Sequence, residues 1–148
     1  MKGISLVALE ELCKARFMEL KASLFEHLDD ILPVREVIRR QDIMKVLKGT
    51  VKDLRTMAIK RTAEAEGEDI SMLPHPRFLS RAFVLGKLDA EIKKAHIMRA
   101  SGKYSAHTGD NAIEGLMLIK TFVLEMEEVE IPPLTAEVMM ELLEEVMK

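Results

Sequence analysis

The chain is poor in the residues that build several common kinds of site. Its 148 residues include one cysteine, Cys13, no tryptophan, one tyrosine and five phenylalanines. A single cysteine excludes an internal disulfide and a metal cage of paired cysteines. No segment reaches the roughly 18 consecutive apolar residues that a membrane span needs, and Glu10 and Glu11 interrupt the first apolar segment before a signal-peptide core is complete. We therefore expect a cytoplasmic protein that does not enter a membrane.

The apolar residues that are present favour helices. Hydrophobic residues make up 48% of the chain, and eleven of them are methionines. At roughly 150 residues per domain, the length predicts one compact domain. A first long helix, ended by Pro33, and a second helix reaching about residue 64 follow from a three-four spacing of apolar residues. In the first these are Leu9, Leu12, Cys13, Phe17, Leu20, Leu24, Leu28 and Ile31, and in the second Ile43, Leu47, Val51, Leu54 and Ala58.

In the rest of the chain, prolines, glycines and capping residues mark the predicted ends of helices. Pro76 suits the first position of a third helix, which we expect to stop near Gly102. A polar loop then precedes a fourth helix, for which Asn111 and Glu114 resemble a capping pair. Residues 121–131 include β-branched side chains that partly alternate with polar ones, and this segment could hold short strands. Thr135 predicts the start of a fifth helix.

The sequence thus predicts an all-α bundle of about five helices forming a single compact domain. Within it, residues 1–110 form a helical part with a basic middle, and residues 111–148 form an acidic helical segment packed on that part.

Charge is distributed unevenly along the chain. Residues 1–34 carry a net charge of −2, residues 35–103 carry +7 and residues 104–148 carry −8, which together give the overall −3. On the second helix Lys45, Lys48, Lys52 and Arg55 fall on one side, roughly 100° from the apolar stripe. This basic side allows three interpretations: a solvated helix face, a surface that binds nucleic acid, or a surface that binds acidic residues. The acidic residues could belong to a partner or to the chain's own acidic segment. The lack of interleaved aromatic residues weighs against base stacking.

The sequence offers two candidate catalytic residues, Arg99 and His107. None of the four histidines follows a glutamate by three positions, and no pair has the spacing of a helical zinc motif, so we predict no metal. No Gly-Lys-Ser/Thr step is present, and we predict no cofactor. His107 lies in a polar loop where a general acid or base could be exposed, although loops collect such residues for turn formation as well. Arg99 with His107 resembles the Arg…His motif of HEPN-type ribonucleases, but the seven intervening residues exceed that motif's spacer.

The middle of the chain resembles the helical domain of GINS subunits, the scaffold of the archaeal and eukaryotic replicative helicase. The resemblance lies in the run Val51 to Arg55 with Ile59 and Lys60, and in Phe78 to Phe83 with Lys87 and Leu88. The segment Val129 to Pro132, followed by Ala136, Glu137, Leu142 and Leu143, is similar to the end of that family's small second domain. It implies a non-enzymatic assembly subunit in which Lys52, Arg55 and Lys60 are structural or interface positions. No glycine follows Gly115, whereas the family's small β domain turns on glycines. The resemblance therefore implies a second domain that is reduced or replaced by helix.

These observations favour a helical scaffold or protein-interaction subunit in a homo- or hetero-oligomer, because long amphipathic helices pair readily across chains. The most specific version of this scaffold hypothesis is a GINS-like assembly factor. The alternative is an enzyme that acts on nucleic acid or nucleotides through the His107 loop.

Overall fold

The computed structural model describes residues 2–25, 33–64 and 75–147. It contains five helices and three short strands, in the order β1 (Lys2–Ser5), α1 (Leu6–Phe25), α2 (Val34–Glu64), β2 (Phe78–Leu79), α3 (Arg81–Ala100), α4 (Ala106–Glu125), β3 (Val129–Glu130) and α5 (Ala136–Met147). The predicted all-α bundle with short strands is confirmed. Leu28 and Ile31 of the predicted first stripe lie outside the described residues.

Apolar side chains from α1 to α4 form one core cluster. Each helix contributes residues three, four or seven positions apart, because that spacing places them on one face. Full burial of one such side chain contributes roughly 1.5–3 kcal/mol. The helical members are Leu6, Leu9 and Cys13 of α1, Ile43, Leu47, Val51, Leu54 and Ala58 of α2, Val84 and Leu88 of α3, and Leu116, Ile119 and Val123 of α4.

A small antiparallel sheet lies against this bundle. The central strand is β1, with β2 on one side and β3 on the other. Ile4 faces Leu79 in the first pair, and Gly3 faces Val129 in the second. A Cβ atom on Gly3 would lie 2.8 Å from the carbonyl oxygen of Leu79, so this position requires glycine. The sheet joins three segments that are distant in sequence.

The sheet corrects the predicted start of the third helix. Pro76 is not its first residue, because Phe78 and Leu79 extend to pair with β1. The helix begins at Arg81, where the Ser80 hydroxyl accepts a hydrogen bond from the Phe83 amide at 3.2 Å. Its predicted end is confirmed at Gly102, whose positive φ of 79° is a conformation that glycine adopts without a steric penalty.

The predicted start of the fourth helix at Asn111 is also wrong. The helix begins at Ala106, because the Ser105 hydroxyl caps it by accepting from the Thr108 amide at 3.1 Å. Residues 121–125 belong to this helix, so that only Val129–Glu130 of the predicted region 121–131 is a strand. The fifth helix does begin after Thr135, whose hydroxyl accepts from the Val138 amide at 3.3 Å.

Candidate functional site

Arg99 and His107 lie at the connection between α3 and α4. The Arg99 Nε donates to the carbonyl of Ala106 at 3.4 Å and lies 3.0 Å from the Asp110 carboxylate. The stem of Arg99 packs on Gly109, where a Cβ atom would lie 2.8 Å from the Arg99 Cβ. Arg99 thus closes the turn between two helices.

His107 has a different environment. It is exposed in the first turn of α4. It does not line either of the two cavities described below, and the structure gives it no base-orienting partner among the described hydrogen bonds. A general acid or base needs a neighbouring group and a place for substrate.

Asn111, which the sequence predicts to cap a helix, is instead packed between α4 and α2. It is buried at 7% exposure, and its side-chain amide donates to the Asp42 carboxylate at 2.9 Å. This hydrogen bond joins α4 to α2, and Arg39 forms a second link by pairing with Glu114. These contacts set the position of α2, which forms one wall of the feature described next.

A groove of about 570 Å³ runs between α1 and α2. Its floor is apolar, because the buried side chains of Cys13, Leu47 and Val51 line it. Phe17 is half-buried along its wall, and Met18 is 52% exposed at its edge. A cleft of this volume with an apolar floor is within the size range of ligand-binding clefts.

Basic side chains stand on both rims of this α1–α2 groove. Lys14 extends from α1, while Lys48 and Lys52 extend from α2, and all three are exposed. Arg55 lies on the same rim as the α2 lysines, where its Nη1 is 3.1 Å from the carboxylate of Glu10. With four basic side chains and one acidic side chain among the lining residues, the groove combines an apolar floor with a positive rim.

The thiol on the floor of the groove is unreactive. Burial, reinforced by the negative charge of Glu10, raises the pKa of the Cys13 thiol to about 12. The thiolate is the nucleophilic and metal-binding form, so near neutral pH Cys13 acts as a small apolar side chain. The groove therefore offers binding surface and no nucleophile at this position.

A second cavity, of about 470 Å³, adjoins the α1–α2 groove and shares three lining residues with it, Glu10, Lys14 and Arg55. Val138 and Glu141 of α5 line this cavity from the other side. Glu141 forms an ion pair with Arg77. The acidic helix α5 therefore sits at one end of the groove.

The predicted basic stripe divides between the groove and open surface. Lys48, Lys52 and Arg55 line the groove, whereas Lys45 is exposed outside its lining. Sequence reasoning missed Lys14 because it lies on another helix. The signal that could have found it is the pairing of α1 with α2.

In residues 2–25, 33–64 and 75–147, no group of three or more histidine, cysteine or acidic residues could hold a metal ion. Over the same ranges, no helix has the length and apolar character needed to cross a membrane.

Comparison with protein-family models, with curated proteins and with solved structures found no match to this chain. The GINS and HEPN resemblances therefore stay predictions.

Proposed function

We propose that this protein is a non-enzymatic helical interaction subunit that binds an acidic amphipathic helix of a protein partner in the α1–α2 groove. One observation carries the proposal: the groove has an apolar floor between lysines on its two rims. A helix that is apolar on one face and acidic along its flanks would bury its apolar face on the floor and place its carboxylates beside the lysines.

The composition of the groove favours a protein helix over nucleic acid. A phosphate backbone would use the lysines but would gain nothing from the apolar floor. Bases would need aromatic stacking platforms, and Phe17 is the aromatic residue among the groove's lining residues. An amphipathic helix uses both parts of the surface.

A more specific form of the proposal is an assembly factor of the GINS type. That resemblance implies interface roles for Lys52, Arg55 and Lys60, and the first two of these line the groove. An interface of this kind would support the scaffold role, with the partner being another subunit of a helicase assembly.

The proposal is tested with designed peptides. Two helical peptides of equal length are labelled, one with leucines on one face and glutamates on its flanks, the other with lysines in place of the glutamates. Binding is measured by fluorescence anisotropy at protein concentrations that keep the chain monomeric. We expect the acidic peptide to bind and the basic peptide to bind at least about tenfold more weakly, because each exposed charge pair contributes roughly 0.2–1 kcal/mol.

A charge-reversed protein decides where the peptide binds. The variant Lys48→Glu/Lys52→Glu should prefer the basic peptide, whereas the control Lys93→Glu/Lys94→Glu, which makes the same change at exposed positions of α3, should keep the native preference. An unchanged preference in the first variant would show that the groove is not the binding site. Tight binding of single-stranded DNA or RNA in place of either peptide would support the nucleic-acid alternative.

A further inference from the structure

His75 is a buried titratable side chain outside the α1–α2 groove. It is 4% exposed and lies in a tight turn, residues 75–78, that leads into β2. The Phe78 amide donates to the His75 carbonyl at 3.3 Å, and Pro76 occupies the first of the two positions between them. The ring of Phe78 meets the imidazole at nearly a right angle, with the two centroids 5.0 Å apart. The turn and this ring contact hold the imidazole in place.

The imidazole is neutral in this arrangement, because it accepts a hydrogen bond. The backbone amide of Arg77 donates to Nδ1 of His75 at 3.1 Å. An imidazolium has a proton on both ring nitrogens. A protonated His75 would therefore lose this bond and would place two N–H groups against each other. Burial, reinforced by the positive charge of Arg77, lowers the pKa of the His75 imidazole.

Arg77 connects this turn to two helices. Its carbonyl accepts a hydrogen bond from the amide of Leu6, the first residue of α1, at 2.9 Å. Its guanidinium forms the ion pair with Glu141 of α5. Its amide is the donor that His75 accepts. A proton gained by His75 therefore acts directly on the residue that joins α5 to the start of α1.

The charged groups near the turn come from three helices. Pro76 and Arg77 line the second cavity, and the charged side chains that share this lining from α1, α2 and α5 are Glu10, Glu11, Lys14, Arg55 and Glu141. The carboxylate of Glu10 pairs with Arg55, and that of Glu141 pairs with Arg77. The charge that acts on the imidazole is that of Arg77. Within the part of the chain that the structure describes, no carboxylate compensates a positive charge on His75.

The contact of α5 with this turn is small. Val138 and Glu141 are three residues apart on α5 and both line the second cavity, so they lie on the same side of the helix. The side chains of Arg77 and Glu141 are 46% and 53% exposed. An ion pair with this exposure contributes little unless its members are held in position. The attachment of α5 at the cavity therefore depends on the turn that positions Arg77.

We propose that the turn 75–78 is an acid-sensitive switch, in which a proton gained by His75 from solvent opens the turn, displaces Arg77 and releases α5 from the second cavity. In the open turn the imidazole is solvated and binds a proton near its usual pKa, so acid shifts the population toward the open form. The stability that neutral His75 contributes is complete above about pH 6.5 and is lost progressively as pH falls toward the lowered pKa. Release of α5 opens the cavity on the side that Val138 and Glu141 line.

Nuclear magnetic resonance follows each part of the switch between about pH 8 and pH 5. The Cε1–H signal of His75 reports its protonation, the amide signal of Arg77 reports the turn, and the methyl signals of Val138 report the position of α5. In the native chain we expect the three signals to shift together, with one midpoint below about pH 6.5.

Three variants separate His75 from other titrating groups. In His75→Asn, the amide oxygen accepts from the backbone two residues on, as in an Asx turn, and does not titrate. The signals of Arg77 and Val138 should then keep their neutral-pH positions down to about pH 5. The control His96→Asn makes the same change at an exposed position of α3 and should keep the native transition. Glu141→Gln removes the ion pair alone, so its Val138 signals should be shifted already at neutral pH.

Three results would overturn the inference. One is a His75 that stays neutral until the chain unfolds, which circular dichroism detects. Another is a His75 that titrates while the signals of Arg77 and Val138 stay fixed or shift with a different midpoint. The third is a native-like transition in His75→Asn, which would assign the change to carboxylates. If His75→Asn does not fold, the comparison of the three midpoints in the native chain still decides.

Discussion

A methyl group added at Gly115 should destabilise the protein by a predictable amount. Gly115 lies on α4 where that helix meets α2, and a Cβ atom there would lie 2.9 Å from both Cβ and Cγ1 of Val46. Val46 is β-branched and stiff, so it can move only if the helices move apart. Overpacking of this kind costs roughly 1–3 kcal/mol, and the higher helix propensity of alanine offsets roughly 1 kcal/mol of it. The net loss in Gly115→Ala is therefore up to about 2 kcal/mol, or up to roughly 8 °C in Tm.

Gly86 on α3 provides a matched control. Its added Cβ would meet nothing within 4 Å, so Gly86→Ala should stabilise the protein by roughly 0.5–1 kcal/mol through helix propensity alone. Urea unfolding, followed by far-ultraviolet circular dichroism, measures both variants. If Gly115→Ala is as stable as Gly86→Ala, then α2 and α4 do not approach as closely as described, and the reasoning is refuted.

Three further predictions concern single side chains. Arg40, by hydrogen bonding, lowers the pKa of the Glu36 carboxyl, so the stability that the ionised carboxylate contributes is present above about pH 5 and is lost as pH falls through the lowered pKa. Glu36→Gln should be less stable than the native chain at pH 7, and this difference in stability should shrink on acidification; a difference that grows on acidification would contradict this. Because the pKa of Cys13 is raised to about 12, its alkylation at pH 7.5 should be at least about a hundredfold slower in the folded chain than in guanidinium, and rapid labelling of the folded chain would be inconsistent with burial. His107→Ala should change stability and peptide binding by less than about 0.5 kcal/mol because the side chain is exposed; loss of a ribonuclease activity in this variant would favour the enzyme alternative.

Helices were predictable from the sequence because their signals are local. Gly102 follows the end of α3 as predicted, and Thr135 caps α5. The predicted end of the first helix at Pro33 depends on residues 26–32, which lie outside the described part of the chain. Local signals also compete, which explains the errors. Asn111 followed by Glu114 has the spacing of a capping pair, yet Ser105 begins the helix and Asn111 is buried against Asp42.

The sheet and the groove depend on contacts between distant segments, which one sequence does not display. Residues 2–5 are too few for an alternating pattern to be recognised, and their partners include Phe78 and Leu79, which Pro76 made resemble a helix start. The charge pattern of α2 revealed the basic rim. The apolar floor and Lys14 become visible only when α1 is packed beside α2.

The arrangement of the sheet limits how molecules of this protein can associate. Its longest strand, β1, is in the centre, and the strands on its two outer edges, β2 and β3, are each two residues long. Edge strands that short offer an incoming chain almost no backbone to pair with, and short edges are one of the ways in which proteins prevent strand addition. In the described part of the chain, backbone pairing between copies therefore has little template. A contact between copies would depend on side chains presented by the helices and not on backbone pairing.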